Sequence, residues 1–399
     1  MRNCDNGTMD RSDAELLFTS EALTLLESLP PFDAKKSVVQ AVSALRDRGV
    51  SPEMTRVVLR QRRLRSQAVA KFGEFASRMF FTESGLQQAT RLDVAAHHAA
   101  RFRALGDVTV GDLGCGIGGD ALAIAGLGIR VVAIDRDEST AAIASYNLAP
   151  FDNATVEHAE AESVDITRFD ALWFDPARRT NEKRLSNPAD WSPSLDWVFD
   201  VATRVPSGIK LSPAIGHDLL PADAEAQWVD DSGDTVECVV WTGALARPGI
   251  RRSALVLGET PVELTASEPD ADVPVGDVSA YLYDPSGAVI RAQLLGALAR
   301  KLSAHTIASS IAYLSGDTLV DTPFASAFRV IESLPLDIRT IAQYCRDAGI
   351  GTLEIKKRGI DIDPATFRTK LKLKGSKSAT LFLTRVGDGR TAIIAERIR

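Results

Sequence analysis

Four carboxylates and a cluster of glycines carry the chemistry open to this chain. Val108–Asp112 reads as a short buried strand, and Gly114, Gly116, Gly118 and Gly119 crowd the turn after it. Ala121–Ala125 then opens a helix. Residues without a β-carbon take positive φ easily and let a ligand lie against bare backbone. The first helical N–H groups have no partner inside the helix and can point at polar ligand atoms. Asp112, Asp135 and Asp175 each fall at the end of an expected strand, and Glu160 follows another by two residues. In an open α/β sheet, the carboxyl ends of the strands are where ligands bind.

The glycine spacing alone does not choose the ligand. Gly114-x-Gly116-x-x-Gly119 satisfies the dinucleotide fingerprint, and Asp135 would hold a ribose diol in that reading too. Two features discriminate. Asp112 stands two residues before the first glycine, where a carboxylate would repel a pyrophosphate. It suits a cationic ligand with an amino group and a sulfonium. The fourth strand ends in Asp175-Pro176-Ala177-Arg178-Arg179, a run with no role in hydride transfer.

The elements that must position these groups alternate strand and helix from residue 106 to about 215. Strands are expected at Val108–Asp112, Arg130–Asp135, Ala154–His158, Phe169–Asp175 and Gly208–Leu211. Helices are expected at Asp120–Leu127, Glu138–Leu148 and Ser194–Arg204. This alternation makes a parallel, doubly wound sheet. Residues 1–12 read as disordered, and Ser12 to about His98 is helical in pattern. Ser12 and Glu15 form a capping box ahead of LLFTSEALTLLESL, Pro30-Pro31 breaks the chain, and a second helix is expected over Asp33–Arg48. A third begins at Ser51-Pro52-Glu53. It carries Arg56, Arg60, Arg62, Arg63, Arg65 and Lys71, either a solvated face or a surface for a phosphate backbone. Phe72, Phe75, Met79, Phe80 and Phe81 have the helical spacing of a core, and His97 and His98 read as ordinary residues of a helix over Thr90–Phe102.

Beyond residue 225 the pattern changes. Residues 225–258 read as antiparallel strands, 259–276 as an acidic hairpin or linker, and Asp284-Pro285 as a turn before a helix. From Asp337 the order is helix, strand, helix, strand, strand. The expected division is an N-terminal helical region over 1–90, a sheet domain over 91–258, the linker or hairpin, and a C-terminal region over 277–399.

Composition narrows the class. The 399 residues are 45% hydrophobic and 25% charged, enough to bury more than one core. The net charge of −7 argues against wholesale coating of nucleic acid, but it hides an asymmetry. Residues 338–399 hold fourteen Lys or Arg against six Asp or Glu, a surplus of +8 that leaves −15 for the remainder. Such a tail points to a polyanionic partner. Cys4, Cys115, Cys238 and Cys345 lie far apart, so no metal or disulfide framework is expected and a reducing cytoplasm fits. No apolar run nears the roughly 20 residues of a membrane span. The polar N-terminus does not read as a signal peptide.

DLGCGIGGD, the IDRD at strand two and the Asp-Pro at strand four resemble class I S-adenosylmethionine-dependent methyltransferases, over about residues 90–255. YLYDPSGAVIRA, LEIKKRG and ATLFLTR extend the resemblance to a bacterial family in which that domain precedes a THUMP-like domain. The resemblance implies an α/β, Rossmann-like doubly wound sheet, an N-terminal helical region and a C-terminal α+β THUMP-like domain at about 330–399. It implies S-adenosyl-L-methionine as cofactor. The Gly114–Gly118 backbone would lie against the methionine moiety and Asp112 would hold its amino group. Asp135 would accept from both ribose hydroxyls and Arg136 would flank the adenine. Glu160 would accept from the adenine amino group, and Ala161 N–H would meet the adjacent ring nitrogen.

Amino-group methyltransferases of this class often carry Asp/Asn-Pro-Pro-aromatic at strand four. Here Asp175 and Pro176 match, while Ala177 and Arg178 replace the second proline and the aromatic. Asp175 is then the acceptor-side residue, with Pro176 and Arg178 beside it, and the ring that would stack on an adenine is missing. Arg178, Arg179, Lys183 and Arg184 would hold phosphates flanking a target nucleotide, and Lys210 would line the same pocket. With residues 56–71 and the basic tail, the implied partner is structured RNA, tRNA or rRNA. The alternatives are a methyltransferase of a small molecule or protein, and a non-catalytic RNA-binding protein.

Overall fold

The computed structural model describes residues 11–29, 38–177, 179–180, 183–184 and 190–398. The Pro30-Pro31 break and most of the stretch read as a disordered start lie outside them. The chain forms two compact units, one built from the residues up to Leu211 with Val240–Ala246, the other from Ser212–Val239 with Arg247 onward.

In the first unit, α1 (Arg11–Leu17), α2 (Ser20–Ser28), α3 (Val38–Asp47), α4 (Pro52–Phe72), α5 (Glu83–Gln88) and α6 (Leu92–Arg103) precede the sheet. Ser12 lies inside α1 rather than ahead of it, and the single helix expected after it is two. The Thr19 hydroxyl accepts from Ala22 N and caps a fresh start for α2. Ser51 caps α4 with Pro52 in its first turn, as expected.

Five of the six α4 cations are engaged within the protein, which weighs against residues 56–71 as a free phosphate surface. Arg56 and Arg60 pair with Asp13, and Arg60 and Arg63 with Glu83. Arg65 donates to the Met79 carbonyl and lies over the Phe80 ring. Lys71 Nζ donates to the carbonyls of Leu86, Gln87 and Ala89 and closes the end of α5. Phe72, Met79, Phe80 and Phe81 are core, but Phe75 is exposed, because Gly73–Arg78 is a 3-10 turn and residues 79–82 are not helical. Buried backbone outside a helix or sheet needs other partners. Gln61 exchanges two hydrogen bonds with the Phe81 backbone (2.7 and 3.1 Å), and Asn147 two with that of Phe80 (2.7 and 3.1 Å).

The sheet follows: β1 (Thr109–Leu113), α7 (Gly119–Gly126), β2 (Arg130–Asp135), α8 (Glu138–Leu148), β3 (Ala154–His158) and β4 (Ala171–Phe174). A short ribbon, β5 (Arg179–Thr180) with β6 (Lys183–Arg184), precedes α9 (Leu195–Ala202) and β7 (Ser207–Leu211). The order is β7-β4-β1-β2-β3, all parallel. The chain steps outward from β1 to β3 and returns on the other side of β1 as β4. Strand order therefore reverses between β1 and β4, where such sheets bind ligands.

The second unit contains β8 (Glu225–Asp231), most of β9 (Asp234–Trp241), β10 (Arg252–Leu257) and β11 (Val262–Ala266). β8 and β10 run parallel, with Ala254 opposite Trp228, which corrects the antiparallel reading. The connection over residues 242–251 is long enough to return the chain and start β10 alongside β8. β10 and β11 form an antiparallel hairpin. Arg247 joins Glu225, which is fully buried, to Glu263 at 2.6 and 2.5 Å.

Then come β12 (Tyr281–Pro285), α10 (Gly287–Arg291), α11 (Leu295–Leu302), β13 (His305–Thr306), β14 (Leu314–Gly316) and β15 (Ala325–Pro335). They are followed by α12 (Ile338–Asp347), β16 (Ile350–Lys357), α13 (Pro364–Leu371), β17 (Lys377–Val386) and β18 (Gly389–Arg397). The sheet order is β13-β14-β12-β15-β18-β17-β16, with β16 and β17 parallel. Asp284-Pro285 ends β12 instead of making the turn, and Ser286 caps α10. Alternation along β17 and β18 sends Leu381, Leu383 and Ile394 to the face under α12 and α13, and Phe382 and Ile393 to the opposite core with Leu282 and Phe328.

Candidate active site

Asp112 lies near the end of β1, 1% exposed, and neither of its carboxylate oxygens has a hydrogen-bond partner among the described residues. Burial pushes its carboxyl well above the usual range. The charges of Asp120, Asp175 and Asp135 push the same way, and Lys210 opposes them. A buried acid left in that state is unfavourable until a cationic donor meets it. The turn beyond is open on one side. Gly116 has φ 56° and a β-carbon there would meet nothing within 4 Å. At Gly114, φ 93°, a β-carbon would stand 3.2 Å from the Asp175 carbonyl, so the turn and the end of β4 approach closely. Gly118 takes the left-handed conformation that starts α7.

Asp135, at the end of β2, accepts from Gly116 N at 2.9 Å and from Asp137 N at 2.9 Å. Burial raises its carboxyl above the ordinary value against these two bonds. Each oxygen keeps lone-pair capacity for a further donor. Arg136 donates to Ser192 Oγ at 2.8 Å, which ties it to the segment after β4. Glu160 is exposed and its carbonyl starts the short turn that contains Ala161, which is buried. Cys115 is a buried turn residue, and burial raises its thiol far above reactive values.

Pro176 is buried beyond β4. Arg178 lies outside the described residues, as do the side chains of Arg179, Lys183 and Arg184. Asp175 Oδ2 accepts from Lys210 Nζ at 2.6 Å, and Lys210 also donates to Thr90 Oγ1 at 2.8 Å. Thr90 in turn donates to Asp120 Oδ2 at 2.8 Å. His98 Nδ1 lies 2.9 Å from Asp120 Oδ1, with its ring 4.3 Å from that of Trp173. Burial alone would raise the Asp120 carboxyl, but the His98 hydrogen bond, the Lys210 charge and the Thr90 hydroxyl hold it below the usual range. Lys71 Nζ is pulled down to about 8 by burial and by the charges of Lys210 and Arg91.

His98 is therefore not an ordinary helix residue. The sequence did hold a sign of this: Val94, His98 and Phe102 repeat every four residues, which puts the imidazole on the buried stripe of α6. Asp120, inside the apolar opening of α7, is the matching buried polar group.

An unpartnered buried carboxylate, an open glycine cradle and a second carboxylate with spare acceptor capacity fit a ligand that carries an ammonium and a ribose. S-adenosyl-L-methionine has both. Among the described residues no group of three or more His, Cys, Asp or Glu side chains is placed to hold a metal ion, and no helix is long and apolar enough to cross a membrane.

The family described as THUMP domain-like matches residues 325–397. An uncharacterized S-adenosylmethionine-dependent methyltransferase of Mycobacterium tuberculosis, recorded in strains CDC 1551 / Oshkosh and ATCC 25618 / H37Rv, is 34% identical over 335 residues. The match spans 82% of this chain and 91% of that protein. A protein of Porphyromonas gingivalis W83, whose crystal structure carries a provisional methyltransferase assignment, shares the fold with a TM-score of 0.78. That likeness covers 98% of this chain and 100% of that one at 20% identity. The chain belongs to the S-adenosylmethionine-dependent methyltransferases, and S-adenosyl-L-methionine is its cofactor.

Proposed function

We propose that this enzyme methylates a base nitrogen in structured RNA, tRNA or rRNA, and holds that RNA through its THUMP-like domain. The observation that carries the reading is a row of five cations on α13, the turn after it and the start of β17. Arg368, Lys370, Lys372, Lys374 and Lys377 are all exposed, and none bonds or pairs through its side chain with another described residue. No acid lies between Asp363 and Asp388. The turn is fixed by backbone contact: a β-carbon at Gly375 would stand 2.1 Å from the Gly349 carbonyl, and one at Gly351 2.0 Å from that of Gly375. Cations held on a fixed turn without internal partners suit phosphates. On α4, Arg56, Arg60, Arg63, Arg65 and Lys71 are engaged instead by Asp13, Glu83 and backbone carbonyls.

S-adenosyl-L-methionine supplies a methyl already activated on sulfur, so the protein's task is alignment and exclusion of water. In this reading Asp112 holds the amino group and Asp135 the ribose hydroxyls, with the Gly114–Gly118 backbone against the methionine portion. Arg136, Glu160 and Ala161 stand on the adenine side. Asp175, with Pro176 and Arg178 beside it, accepts a hydrogen bond from the acceptor amine and takes up the proton that the nitrogen releases.

The test is transfer of labelled methyl into total RNA from cells lacking the gene. Label that appears with the wild type and vanishes with Asp175→Ala supports the proposal, and nucleoside digestion then identifies the base. Replacing Lys370, Lys372 and Lys374 together by alanine should raise KM for RNA. It should also lower the slope of log affinity against log salt by up to about 3. Cofactor binding without any labelled RNA would overturn the reading.

A further inference from the structure

We propose that Lys210 is a positioning residue for methyl transfer: clamped by Thr90, Asp120 and His98, it holds the Asp175 carboxylate from behind and supplies counter-charge to the acids at the β1–β4 reversal. The inference rests on Asp175 being the acceptor-side residue. Its geometry is a chain of hydrogen bonds with a fixed direction. Lys210 has only protons to give, so the Thr90 hydroxyl accepts from it and passes its own proton to Asp120. The other Asp120 oxygen takes the Nδ1 proton of His98, whose ring is held against Trp173. Asp175 closes the opposite end.

Exposure decides which member meets an incoming molecule. The Asp175 side chain is 34% exposed and that of Lys210 13%. The carboxylate is the reachable group, and the ammonium sits behind it. The chain joins four elements far apart in sequence: β7, the residue pair after β4, the start of α7, and α6 with the segment before it. The charges of Asp120 of α7, Asp135 of β2 and Asp175 all act on Asp112 of β1, and Lys210 offsets them; Asp112 and Asp135 also act on the buried Cys115 thiol. His98 of α6 bonds to Asp120, and Lys71 of α4 and Arg91 stand on the cationic side. Without the ammonium, Asp175 would lose the Lys210 hydrogen bond and the acids would lose a compensating charge.

The experiment compares wild type with Lys210→Met, Lys210→Arg and Thr90→Val. The first readout is the affinity for S-adenosylhomocysteine by calorimetry from pH 5 to 8.5. The second is labelled methyl transfer into the unmodified RNA, with kcat and KM separated. Lys210→Met should move the midpoint of the pH dependence of binding upward by at least half a pH unit, because ionising Asp112 becomes harder. Its kcat should fall at least 30-fold with KM changed less than threefold. Lys210→Arg should bring the midpoint back, and Thr90→Val should shift both readouts in the direction of Lys210→Met.

A folded Lys210→Met with an unmoved midpoint overturns the proposal. If Lys210→Met does not fold, Thr90→Val decides, and a variant that matches wild type in both readouts overturns it. Absence of labelled RNA with the wild type refutes the RNA reading by itself, and the binding midpoint then decides the role of Lys210.

Discussion

The Asp112→Asn substitution should pull apart two properties that usually move together, stability and ligand affinity. In the free protein Asp112 is buried with both oxygens unpartnered, and its carboxyl is raised well above the usual range. For such a group the folded state binds more protons than the unfolded state between the two pKa values. Stability is then lost as pH rises through that window, by about 1.4 kcal/mol per pH unit. Asparagine does not titrate, so the variant escapes this loss. The melting temperature of Asp112→Asn relative to wild type should climb between pH 4.5 and pH 8, by about 2–4 °C for each kcal/mol recovered. Affinity should go the other way. Removing one partner of a desolvated charge pair costs about 2–4 kcal/mol, or about 30- to 1000-fold in Kd. Melting curves without ligand and calorimetry with S-adenosylhomocysteine at the same pH values measure both. A stability difference that stays flat across that range, or a Kd within threefold of wild type at pH 8, would refute the assignment of Asp112 as the buried acceptor for the ligand's ammonium.

Other substitutions test the surrounding architecture. Gly116→Val places a branched side chain at φ 56° and in the open cradle, so S-adenosylhomocysteine binding should be lost in calorimetry while the melting transition survives with about 1–2 kcal/mol less stability. Gln61→Leu leaves the buried Phe81 N–H and carbonyl without their partners, and urea unfolding should show a loss of about 2–4 kcal/mol. Arg247→Met removes the guanidinium that pairs with both Glu225 and Glu263, leaves Glu225 the backbone N–H of residue 247 and Glu263 its Ser253 and Gln227 donors, and should cost about 3 kcal/mol. Arg247 helps to hold the Glu263 carboxyl below its ordinary value against the effect of burial. That stabilisation is present above the ordinary carboxylate pKa and fades as pH falls through the lowered one, so the gap between variant and wild type should narrow in acid.

The sheet was legible because each strand and helix declares itself locally. Arg130–Asp135, Glu138–Leu148 and Ala154–His158 sit where their periodicity places them, and the glycine turn and the strand-end acids follow from that order. What stayed hidden depends on partners distant in sequence. The α4 arginines look like a free basic stripe until Asp13 and Glu83, 43 and 20 residues away, are brought beside them. The Thr90–Asp120–His98 group joins residues 22 and 30 apart that share no motif. The parallel pairing of β8 with β10 depends on the course of a connection, which local propensity does not encode. Thr19 is the opposite case, a local cap within a continuous helical pattern, where capping chemistry outweighed periodicity.

The amide clasp on Phe80 and Phe81 bears on how the protein can be handled. Asn147 also donates to the Ile117 carbonyl at 2.8 Å, so one side chain spans the Phe80 backbone and the glycine turn. A chain begun at residue 91 would strip Asn147 of two of its three bonds and would also lose Thr90. Trimming to the sheet is therefore a poor route to a minimal enzyme. The Phe80 amide, far from the glycine turn in sequence but one side chain from it, becomes a natural reporter. Its hydrogen exchange should slow when the turn is occupied, so occupancy can be read from a residue outside the turn itself.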